Sequence, residues 1–170
     1  MKKILLYVAL LFISLSNVNA QEGHFKAGTH LGFPVGKLSD NYSFNLGIDV
    51  AYLWKLNNIT ELGITTGFSN YFGKTVSASY WGYTFNSDIK DVQIIPLAAT
   101  AKFNIANDFF IGTDLGYAFF LDGGDETGAF YFQPKVGLDF KKSELYLSYK
   151  GMSKNGNNIG SVNLGYAYNF

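Results

Sequence analysis

The chain has 170 residues, enough for one domain. Its thirteen basic residues are all lysines and are matched by thirteen acids, so it lacks the basic stripe of a nucleic-acid binder. With no cysteine, neither a disulfide framework nor a lipid-modified N-terminal cysteine can form.

Residues 1–20 read as a secretory signal peptide. Lys2 and Lys3 form a positive start, Ile4 to Leu15 an apolar run, and Val18-Asn19-Ala20 a cleavage site before Gln21. The alternative, a transmembrane anchor, would need ~20 apolar residues where only about a dozen stand. Removing Lys2 and Lys3 leaves eleven lysines against thirteen acids in the expected domain, residues 21–170. Aromatics make up 18% of residues and glycines number 19, and hydrophobicity after residue 20 alternates rather than running on. That is the composition of a transmembrane β-barrel.

The strands follow in order. Phe25, Ala27, Thr29, Leu31 and Phe33 share one face of the first, which Pro34 should end because it lacks a ladder donor; Val35–Tyr42 is then a polar loop. The second carries Phe44, Leu46, Ile48, Val50, Tyr52, Trp54 and Leu56, and Asn57-Asn58 reads as a two-residue hairpin turn. Leu62, Ile64, Thr66 and Phe68 define the third. A long connection from Gly73 to Asp91 follows. The fourth, Val92 to Phe103, places Ile95, Leu97, Ala99, Ala101 and Phe103 together, but Ile94 and Pro96 spoil its alternation, so a bulge is expected near Pro96. After the turn Asn104–Asp108, the fifth shows Phe109, Ile111, Thr113, Leu115, Tyr117 and Phe119. After Asp122–Asp125, the sixth shows Phe130, Phe132, Pro134, Val136, Leu138 and Phe140. Lys141-Lys142-Ser143 turns into the seventh, with Leu145, Leu147 and Tyr149. A loop Ser153–Asn158 leads to the last, where Val162, Leu164, Tyr166, Tyr168 and Phe170 form one apolar face.

Eight strands result, with short turns after the even ones and longer connections after the odd ones. The expected fold is all-β, an eight-stranded antiparallel up-and-down transmembrane β-barrel with both termini on the periplasmic side. Aromatics at the strand ends form two girdles, one of Trp54, Phe103, Phe109, Phe140, Tyr168 and Phe170, the other of Phe33, Phe44, Phe68, Phe119, Phe130 and Tyr149.

The terminal Tyr166-Ala-Tyr-Asn-Phe170 and the run Ile94-Ile-Pro-Leu97 resemble the small eight-stranded outer-membrane barrels of the OmpA/OmpX type, in the porin-family version common in Bacteroidota. The resemblance covers Gln21 to Phe170. It implies the cell outer membrane as address and outer-membrane lipid as surroundings. It further implies the barrel-assembly machinery and periplasmic chaperones as partners in biogenesis, with Tyr166, Tyr168 and Phe170 as the assembly signal. Activity does not come with this fold.

On this register the inward charges are Lys26, Lys55, Lys102, Lys135 and Lys150 against Asp49, Glu61, Asp114, Asp139 and Glu144. Charges in a low-dielectric interior must be paired. The ten read as ion pairs plugging a lumen that eight strands leave narrow. A polar path for ions or small solutes is the alternative, although a selective pore would show an excess of one sign. An enzyme would need a His beside a nucleophile, and the only histidines are His24 and His30, both at strand one. Lipid A deacylase barrels place Ser and His late in the chain, where this chain has no His. Metal binding at His30 would need companions such as Asp49, with no ligand-spaced cluster to support it, and no cofactor is called for. Tyr80, Trp81, Tyr83 and Phe85 are the candidates for a surface ligand, or else the packed tip of a hairpin. Asp122, Asp125 and Glu126 read as an acidic solvated turn ahead of a weak Ca²⁺ site. A soluble lipocalin-like barrel would require the apolar faces to point inward.

Overall fold

A chain of strands that are apolar on one face and polar on the other can satisfy both faces by closing the sheet, which also removes its edges. The computed structural model describes residues 23–80, 83–106, 108–121, 128–154 and 156–170, with backbone alone at 76–80, 83–86 and 157. Residues 1–20, Trp81, Asp122, Asp125 and Glu126 therefore lie outside the described residues.

The strands are β1 (Gly23–Val35), β2 (Tyr42–Lys55), β3 (Thr60–Gly73), β4 (Thr75–Tyr80), β5 (Tyr83–Asp88), β6 (Val92–Ala106), β7 (Phe109–Phe120), β8 (Gly128–Phe140), β9 (Ser143–Lys154) and β10 (Asn157–Asn169). Eight of them close in the order β1-β10-β9-β8-β7-β6-β3-β2, every neighbouring pair antiparallel. The barrel is the expected all-β, eight-stranded, up-and-down one. β4 and β5 form a separate two-stranded ribbon.

The outward faces are those the alternation indicated. Ile48 (58% exposed), Ile64 (56%), Leu97 (56%), Leu147 (53%) and Leu164 (52%) stand on five different strands, and their belt runs right round the barrel. Such a belt is far larger than a water-soluble monomer exposes. Rings collect at its rims: Phe25, Tyr52 and Trp54 touch edge-on at the end carrying the termini, as do Tyr168 and Phe170. Phe130, Phe132 and Tyr149 pack together toward the other end.

Several local expectations are corrected. β1 runs through Pro34, which pairs with Ser161, because β2 has already parted from β1 after Gly32↔Asn45 and no donor is missed there. The turn after β2 spans residues 56–59, with the Asn57 side chain accepting from the amides of Ile59 and Thr60. No bulge forms at Pro96. Its register with β7 is unbroken, the β3 ladder skips it without shifting, and its carbonyl accepts from Thr66 Oγ1 at 2.8 Å. The irregularity lies instead at Asn104/Ala106. The expected loop Ser153–Asn158 is a tight turn at Gly156 (φ 80°), because β9 and β10 pair as far as Lys154↔Asn157. The connection Gly73–Asp91 is largely the β4–β5 ribbon, whose register opposes Tyr80 to Tyr83 and Ala78 to Phe85.

The ribbon's root depends on Asp91, whose carboxylate accepts from Asn70 Nδ2 (2.9 Å) and from the Gly73 amide (3.0 Å). These bonds favour the charged form and hold the carboxyl below its ordinary value. A depressed folded pKa means the anchor is complete above the usual aspartate range and is lost as pH falls through the folded value. The Gly73 amide resonance is expected to titrate with a midpoint below that of a free aspartate. Asn70→Ala should raise this midpoint; an unmoved midpoint would discard the anchor.

Candidate functional site

Side chains large enough to fill a narrow lumen cannot sit on every inward position of neighbouring strands. The cross-strand row Ser69–Gly47–His30–Gly165–Tyr146–Gly137–Phe110 shows the solution, with glycines between the large groups. A Cβ on Gly47 would strike the His30 imidazole, and one on Gly165 the Tyr146 ring. These two glycines let the rings lie across the neighbouring strand rather than stand on end.

The lumen charges fall into layers. Nearest the termini, Glu144 accepts from Lys26 (2.9 Å) and Lys102 (2.7 Å), and Lys102 also reaches Asp139 (2.5 Å). Lys102 further lies 4.7 Å over the Phe110 ring. Above these, Lys135 pairs with Asp114 at 2.6 Å and lies 5.5 Å from the Tyr146 ring centroid. Farther in, Lys150 approaches Asp49 at 3.3 Å. Glu61 is buried and, among the described residues, has no lysine within ion-pair distance, with Asn104 Nδ2 at 3.3 Å and His24 Nε2 at 3.6 Å. Lys55, expected inward, is the exception: it is exposed at the rim, because β2 ends there and leaves no barrel wall beyond it.

The structure also gathers polar groups around His30, Asp49 among them. His30 Nδ1 lies 2.7 Å from Asp49 Oδ2, and its Nε2 lies 3.0 Å from Ser69 Oγ. The carboxylate can only accept, so Nδ1 carries the proton and Nε2 accepts. Serine, histidine and aspartate thus stand in the order of a hydrolase relay. Lys150 Nζ, however, points into the same space, 3.0 Å from Nε2 and 3.3 Å from Ser69 Oγ. Ser69, His30 and Lys150 are each at most 1% exposed. A substrate carbonyl has no room beside that oxygen. The signal was present in the register: His30, Gly47 and Ser69 lie in one row, but only pairing of β1, β2 and β3 reveals it.

Toward the loop end, the lumen turns apolar. Tyr71, Ile94, Ala98, Ala118, Ala129, Tyr131 and Met152 pack as one cluster, so Ile94 faces inward as part of this seal, and Pro96, buried between Ile94 and Ala98 on the same face of β6, faces inward too. Tyr71 bonds Ser161 at 3.0 Å, and Tyr131 donates to Gln133, which in turn donates to Ser148 at 2.8 Å. Between the charged layers a cavity of about 20 Å³ is bordered by Lys26, Asp49, Lys135, Glu144 and Tyr146. That is room for about one water. A wider vestibule of about 500 Å³ opens at the terminus-bearing end, against Asn104, Asp108, Asp139 and Lys141.

Of the remaining candidates, Tyr166, Tyr168 and Phe170 point outward, and the Phe170 amide donates to the Phe25 carbonyl at 2.9 Å. Tyr80, Tyr83 and Phe85 lie on the ribbon backbone.

A closed antiparallel barrel with an apolar exterior and an ion-paired interior is the fold of the small eight-stranded outer-membrane barrels. Among solved structures, the chain is similar to the attachment invasion locus protein Ail of Yersinia pestis, at 15% identity over 88% of this chain and 99% of that one, TM-score 0.51. It is also similar to a de novo designed transmembrane β-barrel, at 11% identity over 89% of this chain and all of that one, TM-score 0.54. No family model and no curated protein matches the sequence.

Proposed function

We propose that this chain is an integral outer-membrane barrel whose lumen is closed, a membrane-embedded scaffold that acts through its external end. The observation that carries this reading is the conjunction of an unbroken apolar belt outside with interlocked ion pairs inside, which among the described residues border a cavity of about 20 Å³ between the charged layers. A designed barrel of the same fold underlines that the fold alone supplies no activity. The role then falls to what projects from the loop end, where the β4–β5 ribbon stands and where the sequence from 75 to 86 carries no charge and includes Tyr80, Trp81, Tyr83 and Phe85. Surface contact is the activity that such a composition supports. A hydrolase role is disfavoured by the burial of Ser69 and by Lys150 beside it. Export through the signal peptide, chaperone escort and insertion through the exposed Phe170 end belong to the same proposal.

The vestibule favours a second reading, a small-conductance conduit for ions or small solutes. Single-channel recording of the refolded mature protein in a planar bilayer separates the two. Silence is expected both from the wild type and from the double variant Lys102→Ala, Asp114→Ala. Steady wild-type openings that the lumen variant alters would overturn the closed-lumen reading.

A further inference from the structure

Prolines in a barrel wall leave a mark on the ladder. Between β8 and β9 the pairing passes from Phe132↔Gly151 directly to Lys135↔Ser148, with no pair at Gln133 or Pro134. On the outer side of this gap, Pro134, Tyr149 and Val162 fall in one cross-strand row, and Val136 and Leu147 in the next. The Tyr149 ring does not fill the space between the rows. It leans over Gly160, where a Cβ would strike it, and packs against Phe132 with centroids 5.9 Å apart. What remains is an apolar groove of about 300 Å³ bounded by Pro134, Val136, Leu147, Tyr149 and Val162.

We propose that this groove is a seat for one phospholipid acyl chain, held longer there than elsewhere on the barrel wall. The inference rests on the membrane reading above. The occupant follows from place and chemistry: the groove lies within the belt formed by Leu97, Leu115, Leu147 and Leu164, is continuous with it, and has apolar residues on both flanks. A linear hydrocarbon matches a slot between two side-chain rows. Lys135 and Ser148 also border the groove, but Lys135 pairs with Asp114 and Ser148 accepts from Gln133 inside the lumen. Among the described lining residues no charged side chain is thus left on the outer wall to recognise a headgroup, and selectivity is for the chain.

The test uses the mature protein folded into phosphatidylcholine vesicles that contain a trace of phosphatidylcholine with a photoactivatable diazirine on one acyl chain. Cross-linked positions are mapped by mass spectrometry, and insertion is checked separately by protease protection and circular dichroism. Labelling of the Pro134–Val136 and Leu147–Tyr149 segments several-fold above that of Ile48, Leu97 and Leu115 is expected. Val162→Phe, an apolar exchange on the outer face, should fill the slot and bring that labelling down to the belt level, whereas Leu115→Phe should not. Even labelling all round an inserted barrel overturns the seat alone. Protein–protein cross-links at the groove, made with a separate bifunctional reagent, would overturn it in favour of a dimer contact. A folded protein that stays out of vesicles would overturn the membrane reading and the seat together.

Discussion

Replacing Glu144 with alanine is expected to lower the unfolding free energy by about 3–5 kcal/mol, the usual cost of breaking a buried ion pair by removing one partner. Glu144 is 1% exposed and is the shared acceptor for two lysines. Without it, among the described residues, Lys26 keeps no carboxylate in contact and Lys102 is left with Asp139 alone. The penalty comes from the stranded ammonium groups more than from the lost attraction. Urea unfolding of the barrel in detergent micelles or vesicles measures it. Glu144→Gln preserves volume and one acceptor and should fall between wild type and alanine. Lys55→Ala serves as the contrast, because that lysine is exposed at the rim and its loss should cost no more than about 0.5 kcal/mol. Equal effects at Glu144 and Lys55 would refute the layered network.

The second large effect belongs to the outer wall. Val50→Arg is expected to destabilise the folded barrel in bilayers by about 2–4 kcal/mol, the depth-dependent cost of a cation facing mid-membrane lipid. Val50 points outward and pairs with Ala27 on one side and Thr66 on the other. On β2 it sits between Phe44 near one rim and Trp54 near the other. Refolding titrations into vesicles give the free energy directly. A near-neutral result would mean that this face is not in hydrocarbon.

The two substitutions separate the two faces of one wall, and that separation is legible in the sequence. The alternation Phe44–Leu46–Ile48–Val50–Tyr52 is enough to assign a strand and its lipid face, since a period of two has one geometric meaning. Strand number, sense and closure follow from repeating it. Where alternation fails as a guide, the cause is local. Ile94 and Pro96 looked like a bulge because an inward face was expected to be polar, whereas the loop end of the lumen is sealed with apolar side chains. Lys55 looked inward because periodicity does not report where a strand stops.

By itself, then, the chain determined the fold, the faces and the stock of inward charges, because these depend on the order of residues along single strands. Which carboxylate meets which lysine was decided only by the closed sheet. Glu144 joins Lys26 and Lys102 across separations of 118 and 42 residues, and His30 meets Ser69 over the bare Gly47. Such meetings depend on the relative register of strands far apart in sequence. Closure sets that register for every strand at once, and no single strand carries it.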